Sequence, residues 1–216
     1  MKASLLAGIL LGFVAALGAA RFFPWVDHPR SASLTTVLHN GGRVEEFVIR
    51  FPVDRITSTG SAEMGLRAIG YPQGVELPAE LAVEPVLVEH FKLRDRDGEV
   101  IGVAARHSSV ADEEASSAWA LTIPSRGTMR LVGAAEPRAL DSELAAAGRM
   151  EGQPWSGDLE LSIGSPGADS GLVAGGSHEF DGLIGTYSED WLISGVSQAG
   201  ELRGTIMLHT TSEFGE

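Results

Sequence analysis

The sequence contains no cysteine among its 216 residues and has few basic side chains. Without cysteine the chain can form no disulfide, no thiolate metal site and no lipoprotein anchor on a cysteine. Its 16 lysines and arginines are outnumbered by 29 aspartates and glutamates, and the net charge is −13. Such an acidic surface repels phosphate backbones and anionic membrane surfaces, which argues against nucleic-acid binding.

Catalytic and nucleotide-binding motifs are also missing. The sequence has no phosphate-binding Gly-Lys motif and no dinucleotide-binding glycine fingerprint. Strand and helix patterns do not alternate, which excludes an α/β nucleotide-binding fold. The acidic runs at 112–114 and 178–181 lack the alternating spacing of a calcium loop, so the sequence predicts no metal site and no cofactor.

The N-terminal segment has a composition of its own. Residues Ala3–Ala20 carry no charge, with Lys2 before them and Arg21 after them. Because about 20 apolar residues cross a membrane as a helix, residues 1–23 are predicted to be a single transmembrane anchor. A cleaved signal peptide, with its cut near residues 18–20, is the alternative. In both cases the basic start predicts a bacterial periplasmic location for the following domain, either anchored to the inner membrane or free.

Small and aromatic side chains refine the prediction of an anchor. Gly8, Gly12 and Ala16 would line one face of the helix, and small-residue faces let membrane helices pack closely. The Phe22-Phe23 pair and Trp25 suit the membrane interface, where amphipathic rings collect. This pattern predicts association with the membrane and with itself or with other subunits of a membrane complex.

The rest of the chain has the pattern of an all-β domain. Residues 24–33 are predicted to be a linker and residues 34–216 a β domain in the periplasm. Side chains of the two faces alternate along several segments, among them 180–185 and 202–209, which is typical of strands with one buried face. The short turns between the segments predict antiparallel neighbours. Segment 52–85 predicts an irregular connection, segment 136–150 a short helix and segment 165–176 a glycine-rich loop.

Two segments resemble the allene oxide cyclase and dirigent-like barrels. Run 175–185, GGSHEFDGLIG, is similar to the GGTGxFxGxxG run near the end of those proteins, with Ser177 and His178 in place of Thr and Gly. Run 91–102, FKLRDRDGEVIG, resembles their hairpin with a DxDG turn. The family motif serves turns and strand crossings, so the resemblance implies an antiparallel β-barrel of the allene oxide cyclase-like or calycin-like kind and no active-site residue. A two-sheet β-sandwich is the alternative architecture.

Glu89 and His107 are the candidate catalytic residues. Glu89 shares its predicted strand face with Leu87, Phe91 and Leu93, and a carboxylate on the apolar face of a barrel strand can act as a general acid or base. His107 shares its predicted face with Ile101, Val103 and Ala105 on the neighbouring strand, so Glu89 and His107 could form an acid–base pair. The alternative is that Glu89 pairs with an arginine such as Arg106 and that His107 lies beyond the barrel rim.

Three functions are compatible with these patterns. The missing catalytic motif, the small-residue helix face and the acidic domain favour a non-catalytic accessory or interaction subunit of an inner-membrane complex. The apolar cavities of the resembled barrels imply, as an alternative, the binding of a lipid-like or isoprenoid molecule. An isomerase or cyclase reaction at Glu89 is the third hypothesis, and it rests on analogy of fold.

Overall fold

The computed structural model describes residues 12, 33, 36–38, 42–59, 86–109, 116–134, 137–150, 152–164 and 171–215. The chain divides into two compact units, Met1–Arg30 and Ser31–Glu216. Of the predicted anchor only Gly12 is described, and it is helical and exposed. Gly8, Ala16 and the predicted interface aromatics lie outside the described residues. Within the ranges given above, no helix is both long and apolar enough to cross a membrane.

Strands dominate the second unit, and eleven of them lie among the described residues. The strands are β1 Thr36–Val37, β2 Arg43–Phe51, β3 Arg55–Thr59, β4 Val86–Arg94, β5 Val100–Ser109, β6 Ser116–Ile123, β7 Gly127–Ala134, β8 Trp155–Ile163, β9 Gly171–Gly176, β10 Leu183–Val196 and β11 Leu202–Phe214. One α-helix, α1 Pro137–Ala146, precedes β8, and a 3-10 helix, His178–Phe180, precedes β10.

Eight of the strands close into an antiparallel barrel. The ring runs β2, β11, β10, β9, β7, β6, β5 and β4, and it returns to β2 through the pair Val48 and Arg94. Strand β8 extends the wall beside the second half of β10, and β3 pairs with β4. The predicted antiparallel barrel is therefore confirmed, because one sheet closes on itself instead of forming two packed sheets.

Side chains fill the interior of this barrel. The register sets Phe47 opposite Leu208 and Ile49 opposite Ile206, and all four are fully buried. The alternation predicted for β11 is thus confirmed. An eight-stranded barrel is just wide enough for side chains to fill its interior. The largest fully buried side chains here include Trp119, Phe47, Phe91, Phe180, Ile49 and Leu93.

The predicted glycine-rich loop 165–176 is partly wrong, because its second half is strand β9. Glycine is needed there for close approach to neighbouring strands. A Cβ on Gly171 would lie 2.0 Å from Cε1 of Tyr187, and a Cβ on Gly176 would lie 1.8 Å from the carbonyl oxygen of Thr128. Glycine in a strand commonly marks such an approach of another group.

The run after β9 also differs from the alternation predicted for a strand. His178–Phe180 forms a 3-10 helix, and β10 begins only at Leu183. The helical turn shifts the alternation by one residue, so Leu183 is fully buried and Ile184 is 52% exposed. His178 has a φ of 55°, a backbone region that favours glycine.

The predicted irregular connection 52–85 begins instead with strand β3, and residues 60–85 lie outside the described ranges. Asp54, fully buried between β2 and β3, fixes this bend at the seam of the barrel. Arg94 donates from Nη2 to Oδ1 of Asp54 over 2.7 Å and from Nε to Oδ2 over 2.9 Å. The hydrogen bond with Asp54 raises the pKa of Arg94. Arg94 also donates to the carbonyl oxygen of Gly98, so one guanidinium ties β4 to two turns.

Gly185 sets the distance between β10 and β11. A Cβ at this position would lie 2.0 Å from the carbonyl oxygen of Thr211. We expect Gly185→Ala to lower the free energy of unfolding by about 1–3 kcal/mol, the usual cost of overpacking. Urea unfolding followed by circular dichroism measures the change, with Thr186→Ala on the exposed face as the control. Equal unfolding midpoints for Gly185→Ala and the wild type would contradict the close contact.

The barrel has two ends, which differ in the turns that they carry. The first end carries the turns after β4 and β6, and the second end carries the turn between β10 and β11. Because neighbouring strands run antiparallel, the second end also holds the starts of β4 and β6 and the end of β5.

Candidate functional site

Glu89 points into the barrel near the second end, and its side chain is 7% exposed. The register of β4 and β5 sets it directly opposite Arg106. Its Oε1 lies 3.3 Å from Nη2 of Arg55, and its Oε2 lies 3.8 Å from Nη1 of Arg106. One carboxylate is therefore shared between two guanidinium groups. Arg106 is the partner that the sequence suggested for Glu89 as the alternative to an acid–base pair with His107.

His107 lies on the opposite, outer face of the same sheet. It is exposed, and its register partner on β4 is Val88 rather than Glu89. Ile101 and His107 do not share a face, because a bulge in the β4–β5 ladder inserts Ile101 as an extra residue. The structure therefore does not bring Glu89 and His107 together as an acid–base pair.

The outer position of His107 has a consequence for stability at acid pH. Desolvation lowers the pKa of His107, and the nearby charge of His90 lowers it further. The folded protein then binds fewer protons than the unfolded chain, so this histidine costs stability as the pH falls below about 6.5. We expect His107→Gln to weaken the loss of stability between pH 7 and pH 5. Urea unfolding midpoints at three pH values measure this pH dependence of stability. Equal slopes of midpoint against pH for both proteins would contradict a lowered pKa of His107.

A second carboxylate, Glu189, is enclosed by neutral donors. It is 1% exposed. Trp119 Nε1 donates to its Oε1 over 2.8 Å, Trp191 Nε1 donates to its Oε2 over 2.9 Å, and the Tyr187 hydroxyl lies 3.4 Å from Oε1. No cation of the described residues pairs with it. Sequence reasoning missed Glu189, although Tyr187, Glu189 and Trp191 alternate along one face of β10, the same signal that singled out Glu89.

Aromatic rings hold both arginines of the site. The guanidinium carbon of Arg106 lies 4.9 Å from the ring centre of Trp191 and 5.7 Å from that of Trp119. The guanidinium carbon of Arg55 lies 5.6 Å from the ring centre of Phe51. Phe51 stacks in turn on Trp191, with ring centres 6.0 Å apart. Stacking of this kind is favourable for arginine and fixes the plane of each guanidinium.

Three donors at this end lack an acceptor. The buried atoms Arg55 Nε, Arg106 Nε and Ser108 Oγ have no hydrogen-bond partner within the described part of the chain. Ser108 follows Arg106 by two residues, on the same face of β5. Because about 90% or more of buried polar groups in proteins are hydrogen-bonded, three such atoms at one end of a barrel mark a place where an acceptor group fits.

A cleft of about 170 Å³ opens at the second end, next to the turn between β10 and β11. Pro52, Trp155 and Val196 line it, together with Glu201 from the turn between β10 and β11. The carboxylate of Glu201 lies 4.0 Å from Nη1 of Arg55. Glu201 therefore connects the cleft with Arg55, and the cleft is accessible from solvent.

The first end of the barrel holds a charged network of a different character. Arg126, in the turn after β6, donates to both carboxylate oxygens of Glu45, to the Ser33 hydroxyl and to Glu179. Arg43 donates to Glu179 as well. Burial lowers the pKa of Arg126, but the hydrogen bonds with Glu45 and Glu179 outweigh it and raise the pKa overall. Both Nη atoms of Arg126 have acceptors, whereas its Nε is buried without a partner among the described residues. The ion pairs with Glu45 and Glu179 indicate a structural role.

Ser33, at the end of the predicted linker 24–33, belongs to this network. It is buried, and its hydroxyl donates to Oε2 of Glu45 over 3.0 Å. The barrel unit therefore begins before residue 34.

Acidic side chains that could hold a cation are dispersed. Among the residues that the structure describes, no group of three histidines, aspartates or glutamates is arranged to hold a metal ion. Glu179, from the run at 178–181, faces the guanidinium groups of Arg43 and Arg126. The run at 112–114 lies outside the described residues.

Two comparisons with known proteins were made at the level of sequence. No model of a protein family matches the chain, and no curated protein matches it either. The resemblance to allene oxide cyclase-like barrels stays a prediction. The geometry of the second end is therefore the basis for a functional proposal.

Proposed function

We propose that this protein is a non-catalytic binding protein for a small molecule, with its site at the second end of the barrel. The observation that carries the proposal is the group of three buried donors, Arg55 Nε, Arg106 Nε and Ser108 Oγ, without an acceptor in the described residues. A buried donor left unsatisfied costs about 1–3 kcal/mol. A ligand that accepts hydrogen bonds from these atoms removes that cost and is thereby bound.

The packing of the interior supports a site at the mouth rather than in the depth of the barrel. Phe47, Phe91 and Trp119 are buried inside it, with 1% exposure or less. Small pockets with a few convergent polar groups and aromatic walls are typical of ligand sites. The cleft at this end is open to solvent, and its lining residue Glu201 lies 4.0 Å from Nη1 of Arg55.

The surroundings of the two carboxylates support binding over catalysis. Both oxygens of Glu89 face guanidinium groups, and both oxygens of Glu189 accept hydrogen bonds from indole N–H groups. Such contacts hold Arg55, Arg106, Trp119 and Trp191 in place for a ligand. A reaction at Glu89 stays a prediction, and so do a role as accessory subunit and a membrane anchor.

A ligand screen on the full chain in mild detergent tests the proposal. Small anionic, neutral and cationic compounds are added to wild type, Arg106→Gln and Arg130→Gln, and the melting temperature is measured. Arg130 is an exposed arginine of β7 and serves as the matched control. We expect at least one class of compound to stabilise wild type and Arg130→Gln but not Arg106→Gln, because bound ligand stabilises the folded state. Equal responses of all three proteins would contradict a site at Arg106.

A further inference from the structure

We infer that the ligand of this site is a compact aromatic monocarboxylate. The inference rests on the proposed binding function and specifies the chemical class that the arginine pair, the aromatic walls and the cleft accept. Each of these three features excludes a different set of molecules.

The donors select an anionic acceptor group. Arg55 and Arg106 each have a buried Nε–H that no described residue accepts, and their distances to Glu89, 3.3 Å and 3.8 Å, exceed those of close charge-assisted hydrogen bonds. The planar fork of a guanidinium matches the two oxygens of a carboxylate. A ligand carboxylate would therefore accept hydrogen bonds from the guanidinium donors that Glu89 satisfies only in part.

The charges of the site select a single negative charge. Two guanidinium groups share Glu89 as their one buried ion-pair partner among the described residues, since Glu201 is 53% exposed at its side chain. A monoanion restores balance between cations and anions. A dianion such as a phosphate monoester would, with Glu89, place three negative charges beside two positive ones, and like charges repel strongly where water is excluded.

The aromatic side chains near the arginines and the size of the cleft at the same end favour a compact ring. Phe51 and Trp191 stack beside the arginines, and Trp155 lines the cleft. The cleft volume of about 170 Å³ is close to the roughly 150 Å³ of a cavity that holds benzene. The filled barrel interior leaves a long acyl chain no place to enter. A single aromatic ring with one carboxylate fits all three features.

Four probes separate the alternatives on the wild-type full chain: benzoate, benzyl alcohol, phenyl phosphate and octanoate. Dissociation constants come from tryptophan fluorescence and calorimetry. We expect benzoate to bind at least tenfold more tightly than each of the other three. Binding of another probe as tightly as benzoate would overturn the ligand class and leave the binding function intact. No binding by these probes or by any compound of the screen would overturn the proposed function itself.

Variants connect the preference to the arginines. Arg55→Gln and Arg106→Gln are expected to weaken benzoate binding at least tenfold and to weaken benzyl alcohol binding much less, whereas Arg130→Gln changes neither. A purely structural role would weaken both probes together. Equal losses for benzoate and benzyl alcohol, or no loss for either, would therefore overturn the assignment of the carboxylate to the arginine pair.

Discussion

Replacing Arg126 with methionine is expected to lower the free energy of unfolding by about 3–5 kcal/mol, the usual cost of removing one partner of a buried ion pair. Glu45 is 1% exposed, and Arg126 contacts both of its oxygens. Without the guanidinium, Glu45 becomes a buried carboxylate with no cation beside it. Urea unfolding followed by circular dichroism measures the loss.

Two further proteins show whether the unpaired charge is the cause. Arg130→Met changes an exposed arginine of β7 and is expected to alter stability by about 0.5 kcal/mol or less. The double variant Glu45→Leu with Arg126→Met removes both charges and is expected to recover much of the loss, because apolar replacements of a buried ion pair are often neutral. A loss below about 1 kcal/mol in Arg126→Met, the usual range of a surface ion pair, would contradict the buried network.

Replacing Glu189 with leucine is expected to destabilise the protein by about 2–6 kcal/mol. The change leaves Trp119 Nε1 and Trp191 Nε1 buried without an acceptor, and each unsatisfied donor costs about 1–3 kcal/mol. Tryptophan fluorescence during urea unfolding reports the stability and the altered surroundings of both rings.

The loss of stability in Glu189→Leu is attributed to the two indole N–H groups that lose their acceptor, and a second substitution tests this cause. Adding Trp119→Phe to Glu189→Leu removes one of the stranded N–H groups, so part of the lost stability is expected to return. Glu160→Leu, on an exposed position of β8, is the matched control and is expected to have little effect. If Glu189→Leu is no less stable than Glu160→Leu, Glu189 does not organise the two indoles.

The sequence predicted those parts of the fold that depend on local alternation. The hairpin of β4 and β5 and the buried face of β11 follow from side chains that alternate with period two. Strand β9 was missed because its glycines, needed for contact with Tyr187 and Thr128, have the composition of a loop. The run at 178–185 was misread because a 3-10 helix changes which residues of the next strand face inward.

The candidate site depends on contacts between distant segments, and local patterns do not determine those. The inward direction of Glu89 follows from alternation, but its contact with Arg55 requires β3 to pair with β4 across residues 60–85. Likewise, the hydrogen bond between Trp119 and Glu189 joins residues 70 positions apart. Closure of the barrel brings each of these pairs together, so local sequence patterns could not predict either contact.

The most direct test of the ligand site is nuclear magnetic resonance of the arginine Nε–H groups during titration with benzoate. We predict that the signals of Arg55 and Arg106 shift with a common saturation curve, because their Nε–H groups gain an acceptor. The signal of Arg126, whose buried Nε–H lies at the first end, is predicted to stay in place. Unchanged signals for Arg55 and Arg106 at benzoate concentrations that shift the melting temperature would contradict the site.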